Sequence, residues 1–172
     1  MHAPRFHLRS YAASAGGDRH RFAQWVLPLT GEIEFELDGQ GARLGCMQGA
    51  FVAPGEFHDQ VGDGPNRHLI IDCDRSWFDD DTLHALRAQR WLALPGALRA
   101  ALATIEGRDP ARLVPLLMRA FARTGSGTRL RALCMELQQS PGDDWPVERM
   151  AAWAGLSSSH LHAVFVREYG LP

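Results

Sequence analysis

Between Gly31 and Asp38 the chain reads GEIEFELD, with Ile33, Phe35 and Leu37 alternating against Glu32, Glu34 and Glu36. A period of two predicts a strand with one apolar and one acidic face. Asp38-Gly39 supplies a turn after it. Further short apolar runs at Gln24 to Leu29, Ala50 to Ala53 and His68 to Cys73 are set apart by breaks such as Gly62-Asp63-Gly64-Pro65-Asn66. The stretch from Phe6 to Cys73 is therefore expected to be all-β, a sandwich or small barrel.

After Asp74 the period lengthens to that of helices. Ser76-Trp77-Phe78 and the run Asp79, Asp80, Asp81 lead into a segment over 82–90, where Leu83 and Leu86 can pack and the acids favour the N-terminal end of the helix dipole. Pro95 opens a second helix with Leu98, Ala101, Leu102 and Ile105 on one face, closed by Gly107. Asp109-Pro110 opens a third, striped by Leu113, Leu116, Leu117, Ala120 and Phe121. Thr124-Gly125-Ser126-Gly127 lacks apolar residues and reads as a linker. Leu130, Leu133, Cys134 and Leu137 then mark a helix ending near Ser140-Pro141-Gly142.

The segment from Trp145 to Pro172 points to one kind of work. Val147, Met150, Ala151 and Ala154 share a helix face, Gly155 permits a tight turn, and Ser157 is placed to cap a following helix whose buried stripe is Leu161, Val164 and Phe165. That is helix-turn-helix spacing. Ser158, Ser159, His160, His162 and Arg167 are left mainly outside the stripe, where a recognition helix carries polar and basic groups toward base edges and phosphates.

Composition narrows these expectations. With 172 residues, 45% hydrophobic and 22% charged, the chain has material for one good core or two small ones. No apolar run reaches the length of a membrane span, and MHAPRFHLRS has no signal-peptide core, so a cytoplasmic protein without membrane partners is expected. Cys46, Cys73 and Cys134 are odd in number and lack metal-finger spacing, which suits reduced thiols. A net charge of -2 excludes a general nucleic-acid binder but not a local reader.

At Met150, Ala151, Ala154, Gly155, Leu156, Ser157, His160, Leu161, Phe165 and Gly170, followed by Leu171 and Pro172, the chain resembles the AraC/XylS family of bacterial transcription regulators. The resemblance implies double-stranded DNA as a partner, read through Ser157, Ser158, Ser159, His160, His162 and Arg167. Ala163 and Val166 stand where the family usually has basic residues, which removes two phosphate contacts. The family also carries a second helix-turn-helix, so the reader here is expected to be incomplete.

The N-terminal half resembles a cupin, the small jelly-roll barrel that precedes the reader in this family. The resemblance rests on His20 to Leu29 with Pro28-Leu29-Thr30-Gly31, on Gly49-Ala50-Phe51-Val52-Ala53-Pro54-Gly55, and on His58. Where metal-binding cupins place two His and a Glu and then a further His, this chain has Asp18, His20, Gln24 and His58. On a regular strand Asp18, His20, Phe22 and Gln24 face one side, where His58 can meet them. Two imidazoles and a carboxylate suit zinc or another divalent ion, although neutral Gln is a weaker ligand than Glu. The reading preferred here is an effector pocket lined by His20, Phe22, Gln24, Trp25 and His58, with no certain cofactor.

The expected architecture is thus α+β: a cupin-like β-barrel over 1–74, a helical linker or dimerisation segment over 75–124, and a partial helix-turn-helix domain over 128–172. The expected function is an effector-responsive, non-enzymatic regulator. The resemblance further implies a homodimer and contact with RNA polymerase. The competing reading is a metal-dependent cupin enzyme with a helical appendage.

Overall fold

The computed structural model describes residues 3–13, 16–105, 108–121 and 126–170. Among them lie nine strands, β1 (Arg5–Arg9), β2 (Asp18–Arg19), β3 (Ala23–Thr30), β4 (Ile33–Leu37), β5 (Gln40–Leu44), β6 (Gln48–Val52), β7 (Phe57–Val61), β8 (Arg67–Cys73) and β9 (Trp91–Ala93). Six α-helices accompany them: α1 (Asp80–Ala88), α2 (Gly96–Ala103), α3 (Leu113–Phe121), α4 (Ser126–Gln139), α5 (Val147–Ala154) and α6 (Ser158–Tyr169). None of the described helices is long and apolar enough to cross a membrane. The chain divides into two compact units, one of Met1–Ser76 with Leu86–Ala111 and one of Trp77–Ala85 with Arg112–Pro172. Residues 75–124 are shared between them.

The first unit is two antiparallel sheets, ordered β1-β8-β3-β6-β9 and β2-β7-β4-β5. The alternation in β4 sets its inner face. Ile33, Phe35 and Leu37 are buried while Glu34 and Glu36 are exposed, and they join Val26, Leu44, Ala50, Val52 and Ile70 in one cluster with Tyr11 and Trp91 against it. Asp38 and Gly39 both take positive φ, 44° and 80°, which is the twist a tight hairpin between β4 and β5 requires. Strands β1, β2, β5, β7 and β9 were too short or too polar to stand out by periodicity.

One expectation is corrected. The resemblance implied a small jelly-roll barrel, but among the described residues no ladder joins the two sheets, so of the sandwich and barrel the spacing allowed, the unit is the sandwich. The chain passes between sheets at corners, as between Arg19 on β2 and Ala23 on β3, where the backbone leaves one ladder before entering the other.

In the second unit α4, α5 and α6 enclose Leu130, Leu133, Ala151, Ala154, Leu161 and Val164. Helix α5 ends at Gly155, whose φ of 64° is left-handed, and the Ser157 side chain caps α6 by accepting from the His160 backbone N–H at 3.2 Å. Both turn devices are those the sequence indicated. Val147 departs from its expected face and is 47% exposed. Of the expected linker, Ser126 and Gly127 belong to α4, while Thr124 and Gly125, like the Gly107 stop, lie outside the described residues.

Candidate effector site and nucleic-acid interface

The corner between β2 and β3 decides the first site. Asp18 pairs with His58 across β2 and β7, whereas Gln24 pairs with Asp72 across β3 and β8. The premise of one regular strand through Asp18, His20, Phe22 and Gln24 therefore fails, because residues 20–22 carry the chain from one sheet to the other. The rings of Phe22 and His20 are nevertheless brought into a column with His58 and Phe35. Phe22 and His20 stack at 3.9 Å between ring centroids, His20 meets His58 edge-on at 5.0 Å, and His58 lies over Phe35 at 5.8 Å. Arg5 covers the other end, its guanidinium carbon 5.5 Å from the Phe22 centroid.

Hydrogen bonding fixes what the imidazoles offer. His20 Nδ1 lies 2.8 Å from the Phe22 carbonyl, which can only accept, so Nδ1 carries the proton. In the neutral ring Nε2 is then an acceptor, and it is buried with no partner among the described residues. Burial, and then the neighbouring His20, hold His58 below the ordinary histidine pKa against the opposing pull of Asp18. His58 is also hydrogen-bonded to the Glu56 backbone, so the unused buried acceptor of the pair is His20 Nε2, beside a His58 held without a fixed positive charge.

Beside Phe22 is a cavity of about 580 Å³ lined by Ala3, Arg5, Arg21, Phe22, Asp72, Cys73 and Asp74. That volume lies within the range of small-molecule sites, about 300–1,000 Å³. Asp72 organises one wall: it accepts from Gln24 Nε2 at 2.8 Å and faces His7 at 3.3 Å and Arg5 at 3.9 Å. Burial pushes the Cys73 thiol up to about 12, so it is not a nucleophile at neutral pH. Arg5, Phe35 and Asp72 escaped the sequence reading because they join the site only through sheet pairing.

Two expected site residues are placed differently. Trp25 is fully buried against Phe51 at 4.9 Å, on the face of its strand opposite Gln24 and Val26, and does not join the column. Gln24 has its amide committed to Asp72. Among the described residues no group of three or more His, Cys, Asp or Glu side chains is arranged to hold a metal ion, so Asp18, His20, Gln24 and His58 are not assembled as a ligand set. The physical reason is the corner, which sends Asp18 and Gln24 to different sheets.

In the second unit Ser159, His160, His162 and Arg167 are exposed on α6 and Ser158 is half-buried. Ser157 spends its oxygen on the cap. Arg167 is held by its neighbour Glu168 at 3.2 Å, and Arg149 on α5 by Asp143 at 3.3 Å. The exposed face of α6 thus carries hydroxyl and imidazole groups that can read base edges, with little uncommitted charge for phosphates.

No family model matches the chain, and no curated protein matches it. Among solved structures it is similar to the AraC-like transcriptional activator CuxR, at 14% identity and a TM-score of 0.40, over 98% of this chain and 69% of that one. It is also similar to apo ToxT K231A from Vibrio cholerae, at 7% identity and a TM-score of 0.43, over 97% and 76%. The protein NMB1881 from Neisseria meningitidis is similar over 43% of this chain and 77% of its own, at 17% identity and a TM-score of 0.39.

Proposed function

We propose that this chain is an effector-responsive transcription regulator of the AraC/XylS type. The sheet unit binds a small molecule beside Phe22, His20 and His58, and the pair α5–α6 reads double-stranded DNA. The observation that carries this reading is the turn between those helices: a left-handed Gly155, a Ser157 cap and an α6 whose exposed positions are Ser159, His160 and His162. An effector acts by binding two arrangements of the protein with different affinity. Its polar groups would meet Arg5, Arg21 and Asp72, which line the cavity beside Phe22.

The test is selection of duplexes from a random pool by the full chain and by His160→Ala. A reader of this kind enriches a defined sequence, and the variant loses discrimination at the base it contacts by about 1–3 kcal/mol. Enrichment no better than the starting pool, or the same motif and affinity in His160→Ala, would sink the assignment.

A further inference from the structure

The proposed reader has a charge problem. Helices α5 and α6 contain two arginines, Arg149 and Arg167, against two glutamates, Glu148 and Glu168. Both arginines are committed: Arg167 to Glu168, and Arg149 to Asp143, to the Asp144 carbonyl and to the Trp145 ring at 4.2 Å. Phosphate neutralisation supplies most non-specific DNA affinity, so the cations must come from elsewhere.

A second cavity in the same unit answers this. It holds about 230 Å³ between α3, α4 and the end of α5, lined by Arg119, Arg129, Ala132, Ala152, Trp153, Ala154 and Gly155. No acid is among the lining residues. Arg119 is exposed, with its guanidinium carbon 5.8 Å from the Trp153 ring centroid. Arg129 donates one terminal N–H to the Gly155 carbonyl at 2.9 Å, while its Nε is buried without an acceptor among the described residues. A buried donor left unsatisfied costs about 1–3 kcal/mol and calls for an incoming acceptor. Three alanines and a glycine keep the space open.

We propose that this cavity binds a phosphoryl oxyanion, and that its source is the DNA backbone. Guanidinium donors suit phosphate oxygens because they present N–H groups in a fixed planar fork. The volume is below the roughly 300 Å³ of a site for a whole small molecule, which favours one charged group of a larger ligand. The position favours DNA: Gly155, whose carbonyl Arg129 holds, is the turn that leads into α6. The inference rests on the DNA-reader reading, and it transfers the phosphate contacts missing at Ala163 and Val166 to α3 and α4.

The experiment uses the full chain labelled with nitrogen-15. Inorganic phosphate and a short mixed-sequence duplex are titrated separately while the Trp153 indole N–H and Arg129 Nε–H signals are followed. Duplex affinity is then measured against salt for wild type, Arg119→Gln and, as a control in the sheet unit, Arg43→Gln. Both ligands are expected to shift both signals, and Arg119→Gln should lower the log–log salt slope by about 0.9 at every sequence while the control leaves it unchanged. Signals that respond to neither ligand overturn the site, and phosphate shifts with an unaltered slope in Arg119→Gln overturn the backbone assignment. Phosphate shifts without any duplex binding by wild type support the pocket and refute the DNA-reader reading.

Discussion

His68 has no exposed surface, and neither of its ring nitrogens meets a hydrogen-bond partner among the described residues. Tyr11 stands edge-on to it at 5.7 Å. Burial pushes the His68 pKa from its ordinary 6.5 down to about 4, and His58 is lowered in the same direction. Between those values the unfolded chain binds a proton that the native ring refuses, so stability falls as pH drops from 6.5 toward 4 and is unaffected above 6.5. The loss from His68 alone approaches roughly 3 kcal/mol at the acid end. His68→Leu should therefore flatten the decline of the urea midpoint between pH 7 and pH 4.5, leaving the part that His58 supplies. A variant curve parallel to wild type across that interval would show that His68 does not carry the acid sensitivity.

At the scale of elements, one carboxylate starts two helices. Asp79 Oδ1 accepts from the Thr82 backbone N–H at 2.8 Å, capping α1, while Oδ2 accepts the Thr128 backbone N–H and hydroxyl, each at 3.0 Å, in the first turn of α4. Burial alone would raise its pKa, but these bonds from Thr82 and Thr128 outweigh it and hold the carboxyl below its ordinary value. A lost cap costs about 1 kcal/mol, and leaving the buried Thr128 groups unsatisfied costs about 1–3 more. Asp79→Ala should accordingly destabilise by roughly 2–4 kcal/mol, and a cycle with Thr128→Val should show strong non-additivity in chemical denaturation. Simple addition of the two single effects would mean that the helices are capped independently. The aspartate run indicated a helix start through the dipole, but not which aspartate caps α1, nor the link to Thr128, which lies 49 residues on and has no local signature. The same distinction holds throughout. Gly155, Ser157 and the β4 alternation act over a few residues and were legible, and the same period of two places Trp25 opposite Gln24, whereas the Asp72 wall depends on strand register and on a corner that no period reveals.

At the scale of the molecule, α1 belongs to both units: residues up to Ala85 group with the helical unit and those from Leu86 with the sheet unit. Nine residues are too few for an isolated helix, which is marginal below about 12–15, so α1 exists because both of its ends are held. One end is held by Asp79. At the other, the fully buried Glu56 accepts from Arg87 Nε at 3.1 Å and faces Arg90 at 3.5 Å, while its second oxygen accepts the Ala53 N–H at 2.8 Å. Glu56 stands two residues before His58, and Gly55 beside it donates its N–H to the His20 carbonyl at 2.7 Å. Because α1 contributes residues to both units, the prediction is that its melting is felt in each. The indole N–H signals of Trp25 and Trp91 report the sheet unit, and those of Trp145 and Trp153 the helical unit. All four should vanish over the same range of urea, and Glu56→Gln, which removes the charge and keeps the shape, should lower that range for all of them together. If Glu56→Gln moved only Trp25 and Trp91, the two ends of α1 would be stabilised independently.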